Sequence, residues 1–212
     1  MTYRQNKKWI DCESIHPYND ERFNFENAKT FIIGSIPPYR FSEPKNLLCG
    51  DVDWYYGSKD NSFWDILKDS CCDSQVTLCT KENQRKFFME NEIGIFDMIQ
   101  KCTRKNGCSS SDNDLYNLEL IDVCKIISEN KNSELKLFFT SIFVADLFSK
   151  KTGIKIDSAN REFKEIVIYG KKLKVKILYS PSPSWSRGLE EGIRKDKDKN
   201  KKRIDQYKDI CV

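Results

Sequence analysis

The stretch "DVDWYYGSKDNSFWDIL", residues 51–67, sets Trp54, Tyr55, Tyr56, Phe63 and Trp64 around the polar run Gly57-Ser58-Lys59-Asp60-Asn61. It follows neither the two-residue alternation of a strand nor the repeat of an amphipathic helix. The polar run holds Asn, Asp and Ser, residue types that could do chemistry, and Asn61 can cap the helix that follows. The chain has one histidine, His16, in "ESIHPYND". Ser-His-Asp and Cys-His catalysis need an imidazole oriented beside a nucleophile. A histidine followed by Pro17 in a polar leader is expected at the surface or in a loop. Chemistry then falls to Asn, Asp, Glu, Ser or backbone groups.

The nine cysteines are odd in number, and none forms a C-x-x-C pair. Cys71 and Cys72 are adjacent, with Cys79, Cys102 and Cys108 farther on, which is not the spacing of a zinc or iron–sulfur site. The expectation is reduced, small, buried or half-buried cysteines, with no metal and no cofactor. Residues 1–8 contain no signal-peptide core, and no apolar run reaches the roughly 18 residues of a membrane span. These features predict a cytoplasmic protein without a membrane partner. The 212 residues fit one domain, with 1–28 a polar leader and 187–212 a basic helix. A hydrophobic content of 39 % supplies a core, and a net charge of +4 leaves room for a local basic face without specifying nucleic acid.

Four apolar runs predict strands: 30–35, 92–96, 135–141 and 165–180, the last broken at Gly170-Lys171 into a hairpin. Their near-continuous apolar character fits strands buried on both faces. Helices are expected at 61–69 after Asn61, at 81–92 after Thr80, and at 114–130, 141–151 and the C-terminal stretch. Alternating strands and helices argue an α/β sandwich with a mainly parallel four-stranded sheet. Residues 106–114 form a polar surface loop. Ligands of such sheets bind beyond the carboxyl ends of the strands. Three polar loops fall there: Gly34-Ser35-Ile36-Pro37-Pro38, Thr140-Ser141, and "SPSPSWSRG" at 180–188.

"FIIGSIPPYRFS" followed by "DWYYGSKDNSFWDIL" resembles the start of the uracil-DNA glycosylase superfamily, nearest the hypoxanthine (deoxyinosine) DNA glycosylase branch. That branch opens with a strand, a Gly-Ser-x-Pro loop and a Tyr-Tyr-Gly-His-Pro-Arg-Asn-x-Phe-Trp pattern. Ile93-Gly94-Ile95-Phe96-Asp97-Met98 is similar to the family's next segment, and "LYSPSPSWSR" to its late serine-proline loop. The matches run in order over about residues 30–210.

The resemblance implies a three-layer α/β/α sandwich. It also implies a monofunctional enzyme that flips a base out of DNA and hydrolyses its N-glycosidic bond, acting as a monomer. Asn61 falls at the catalytic asparagine, and Asp97 either orients a water, binds a base amino group or caps a helix. Ser35, Ile36, Tyr56, Phe63, Thr140 and Ser141 would line the base pocket, with Tyr55 beside them and Trp64 in the core; a core role for all five aromatics is the alternative. Gly34, Pro37, Pro38, Ser180, Ser182 and Ser184 would grip phosphates, with Trp185 or Arg187 as the wedge. The basic run 194–203 is either a solvated face or further phosphate contacts.

The chain also departs from the family. Ser58-Lys59-Asp60 stands for His-Pro-Arg, and Ser180 stands where many superfamily members carry a histidine. Thr140 and Ser141 stand where an amide-bearing residue is common. Asp51 and Asp53 are expected near the pocket, as acceptors for a hydroxylated or amino-bearing base. A glycosylase for a bulky modified phage base, and a non-catalytic binding module of this fold, are the alternatives.

Overall fold

The computed structural model describes residues 10–71, 76–157, 161–183 and 197–211. A five-stranded sheet holds β2 (Thr30–Gly34), β3 (Ile93–Asp97), β6 (Glu134–Phe139), β7 (Lys164–Ile168) and β8 (Lys171–Ile177), in the order β3-β2-β6-β8-β7. The first four in that order run parallel, and β7 pairs antiparallel with β8 through the predicted hairpin. The sheet is therefore mixed and five-stranded, not four-stranded. The fifth strand is the outer arm of the hairpin, a half-exposed edge strand that the single run 165–180 counts together with β8.

Every residue of β2 and β3 is buried, as continuous apolar runs require when both faces are covered. On one face Phe31, Ile33, Leu137, Phe139 and Val175 pack against Val123, Ile126, Val144 and Phe148. The last four come from α4 (Val123–Glu129) and α5 (Ile142–Thr152). On the other face Ile32, Ile95 and Phe138 meet Phe63, Trp64, Phe88 and Tyr207. These belong to α1 (Phe63–Cys71), α2 (Lys81–Glu90) and α6 (Lys197–Lys208). Each such side chain contributes about 1.5–3 kcal/mol on burial. Local capping starts the helices where expected: Thr80 accepts from the Asn83 N–H and Ser141 from the Val144 N–H.

A second sheet of three antiparallel strands joins β1 (Cys12–Ile15), β4 (Ile99–Arg104) and β5 (Leu115–Leu120). It corrects two expectations. Residues 12–28 are not a polar leader, since Tyr18, Phe23, Phe25 and Ala28 are buried. The helix expected over 114–130 is a strand followed by α4, which Asp122 caps by accepting from the Lys125 N–H. Tyr116, Leu118 and Leu120 alternate with Asn117 and Glu119, and pairing with β4 selects that period over the helical one. Residues 105–108 make one helical turn, α3 (Lys105–Cys108).

Cys71 and Cys211 form a disulfide, with Cα atoms 5.9 Å apart, so the expectation of reduced thiols fails for this pair. The bond ties the end of α1 to the residues after α6. No helix among the described residues is long and apolar enough to cross a membrane.

Candidate functional site

The loops after β2, β6 and β8 meet beyond the carboxyl ends of the strands and enclose a cleft of about 730 Å³. Ser35, Ile36, Pro37, Pro38, Thr140, Ser141, Ser180 and Ser182 line it, together with Tyr56, Asn61 and Asp97. Eleven sequence-predicted residues from five separated segments thus come together. Hydrogen bonds hold the loops in place. Met98 N–H donates to the Gly34 carbonyl and Ile99 N–H to that of Ser35, strapping the first loop down. The Ser62 N–H and hydroxyl both donate to the Pro181 carbonyl, at 3.1 and 3.0 Å, tying the start of α1 to the last loop. The buried Arg104 donates to the carbonyls of Pro37 and Ser109 and joins two walls.

The segment 51–67 serves both core and cleft. Trp54 and Trp64 stack in the core at 5.7 Å, and Tyr55 is buried with its hydroxyl donating to Asn19. Tyr56 turns the other way. Its φ of +54° carries its ring to the cleft, where it stacks on Phe63 at 4.3 Å. Phe63 is fully buried behind Tyr56 and does not line the cleft, which corrects its assignment as pocket wall. The chain then doubles back: Val52 N–H donates to the Gly57 carbonyl and Gly57 N–H to the Trp54 carbonyl. Asn61 accepts the Phe63 N–H at 2.9 Å, so it caps α1 and faces the cleft at once. A carbonyl oxygen has two lone pairs, and one of them is left for a water.

Gly34 is not among the residues lining the cleft; it lies beneath the floor. A Cβ at this position would come within 2.1 Å of Asp97 Oδ1 and 2.4 Å of the Tyr56 hydroxyl. The missing side chain makes room for Asp97 and the Tyr56 hydroxyl. Ser141 is engaged as the cap of α5. Ser184, Trp185 and Arg187 lie outside the described residues, as does most of the basic run.

Asp97 sits at the floor, 5 % exposed. Its carboxylate Oδ2 accepts from His16 Nε2 at 2.9 Å. His16 is 2 % exposed and buried against this carboxylate, contrary to the expectation of a surface residue. Asn19 adds a clamp on the backbone: it accepts the Asp97 N–H and donates to the Asp97 carbonyl, both at 3.0 Å. The local sequence gives no signal for either partner, because both contacts bridge about 80 residues (Pro17 in fact favours the loop reading).

The electrostatics are acidic. Burial first, then the Asp97 charge, push the Tyr56 hydroxyl well above its ordinary value, so it stays a neutral donor. The loop expected at 106–114 covers one wall, with Ser35 donating to Asp112. Burial raises the Asp112 carboxyl against the lowering effects of Ser35 and Arg104. Among the described lining residues Arg40 is the cationic side chain, and it is engaged with Asp51 and Ser58. Asp51 and Asp53 are absent from the lining; Asp53 accepts from Tyr18 and Asp51 staples the turn. A second cavity of about 600 Å³ at the amino ends of the strands gathers none of the predicted residues and holds the ion pairs Lys29–Glu92 and Lys172–Glu134.

At Asp51 burial alone would raise the carboxyl. The Arg40 guanidinium and the N–H groups of Lys59 and Leu48 outweigh it and hold it down at about 2. A folded value below the unfolded one means that stability is present above about pH 4 and is lost as pH falls toward 2. The expected loss is about 2 kcal/mol. Thermal melts stepped through this range check it, and Asp51→Asn should remove this part of the slope.

No family model and no curated protein matches this chain, so what can be said of the cleft rests on its own residues.

Proposed function

We propose that the protein is a metal-independent, monofunctional DNA glycosylase. The observation that carries this reading is the convergence of Asn61, Asp97, Tyr56 and the two proline-bearing loops on one cleft at the carboxyl rim of the sheet. Helices packed on both faces of the mixed sheet go with it. A base inside a duplex can be reached only after the nucleotide leaves the stack. Ser180 and Ser182 line the cleft, where they would meet phosphates, and Tyr56 would offer a ring on which the extruded base stacks. Asn61 holds a water through its remaining lone pair. As the bond from C1′ to the base nitrogen breaks, positive charge builds on the sugar. The water oxygen bonds to C1′, its proton is lost to solvent, and the base departs from an abasic sugar.

A second reading keeps the reaction and changes the base. Ser109, Ser110, Ser111, Asp112 and Asn113 add a polar wall, which favours a base carrying hydroxyl groups. One screen decides both. Oligonucleotides containing uracil, hypoxanthine, hydroxymethylcytosine or glucosylated hydroxymethylcytosine are incubated with the protein, treated with alkali and examined for strand scission. Scission at one of these bases is expected. Intact strands throughout would leave a binding module in place of an enzyme.

A further inference from the structure

One polar atom at the floor of the cleft has no partner. Asp97 Oδ1 is buried and receives no hydrogen bond from the protein, although its side chain is 8 % exposed. A buried carboxylate oxygen in this state is costly unless a ligand supplies a donor. The nearby Tyr56 hydroxyl does not supply one. It lies 3.0 Å from Thr140 Oγ1, and the Thr140 hydroxyl already gives its proton to the Ile33 carbonyl. Tyr56 therefore donates to Thr140.

The carboxylate is also held in orientation. His16 Nδ1 accepts two backbone N–H groups, from Tyr18 at 3.1 Å and Asn19 at 3.0 Å. That nitrogen carries no proton, so the ring is the Nε2–H tautomer and donates to Asp97 Oδ2. With Oδ2 engaged and the backbone clamped by Asn19, Oδ1 is left as a fixed acceptor.

We propose that His16 is a positioning residue that acts through Asp97 to set the polarity of the cleft floor, so that the base admitted is one presenting a hydrogen-bond donor, above all an exocyclic amino group. The inference rests on the reading of the cleft as a base pocket. The leaving-group chemistry agrees with it. A carboxylate beside the departing base repels an anion. It favours a base that takes a proton from solvent on a ring nitrogen before the bond breaks, and so leaves neutral, over one that leaves as an anion.

The test uses oligonucleotides containing cytosine, hydroxymethylcytosine or adenine, each beside the same base with both amino hydrogens replaced by methyl groups. Wild-type protein is expected to prefer the amino form by about 10- to 100-fold in single-turnover release. His16→Ala should lose most of that preference. His16→Gln, whose amide N–H replaces Nε2–H, should regain it. Asp97→Asn keeps His16 and needs no cavity in the core. Its amide oxygen must face Nε2–H, so its NH₂ faces the cleft and the preference should reverse toward uracil and hypoxanthine, whose carbonyls accept. Unchanged discrimination in His16→Ala, no recovery in His16→Gln, or an unreversed order in Asp97→Asn overturns the proposal while leaving glycosylase activity in place.

If no oligonucleotide loses a base, the glycosylase reading fails and binding decides the inference. His16 is the only histidine, so its imidazole gives one ¹⁵N signal pair. A shift of Nε2–H with the amino-bearing oligonucleotides, and none with the dimethylated ones, upholds it. An equal response to both, or no response, overturns it.

Discussion

Replacing Asn61 by alanine is expected to slow single-turnover base release by about 10²- to 10³-fold, with DNA affinity changed by less than about threefold. In the proposed mechanism the amide acts on the water, so its loss would be felt in the transition state and hardly in the bound complex. The substitution also removes the cap on α1, because Asn61 accepts the Phe63 N–H. That costs about 1 kcal/mol of stability, which a melt reads separately. Asn61→Asp separates the two roles. It keeps the capping oxygen but adds a negative charge to a cleft that already holds Asp60, Asp97 and Asp112. Near-native stability with a rate between those of wild type and Asn61→Ala is expected. If both variants release base at the wild-type rate, Asn61 is a cap and nothing more.

Gly57→Ala is expected to destabilise the fold by about 3 kcal/mol or more. A Cβ at this position would sit 1.8 Å from the Val52 carbonyl oxygen and 2.9 Å from that of Trp54. Neither carbonyl can withdraw freely. The Trp54 carbonyl accepts the Gly57 N–H, and the Val52 carbonyl accepts the Trp54 N–H. Relief of the clash must therefore open the turn that aims Tyr56 at the cleft. Denaturant titration gives the stability change, and base release should fall with it even where the protein remains folded. A midpoint within experimental error of wild type would show that the turn accommodates the added methyl group without opening.

These two residues explain why a glycine turn and an asparagine stand between aromatic pairs. The aromatics on either side anchor two ends of a loop in the core through the Trp54–Trp64 stack and the Trp64 indole N–H, which donates to the Tyr55 carbonyl. Between them the chain must reverse within a few residues, which requires the missing side chain at Gly57. It then starts a helix, which requires a cap at Asn61. The polar centre is exposed to the cleft because both ends are tied down.

What was legible in the sequence was local. The apolar runs of β2 and β3 are buried on both of their faces, and the caps Thr80, Asn61 and Ser141 each act within three residues of themselves. The order of strands with polar ends was enough to gather Ser35, Thr140 and Ser180 at one rim, since parallel strands share their carboxyl edge. β5 was misread because a short alternating stretch runs straight into a true helix, and only its antiparallel partner β4 separates the two.

The sequence by itself determined the α/β alternation, most of the helix starts and the identity of the cleft residues that follow strands, because periodicity and capping are written in neighbouring residues. Tertiary structure alone decided that His16 lies buried behind Asp97, that Phe63 backs the wall and does not form it, that the 109–113 loop closes one side, and that Cys71 finds Cys211. Those pairings bring together groups up to 140 positions apart. No local pattern encodes them; they exist because two sheets and a late helix must share one core.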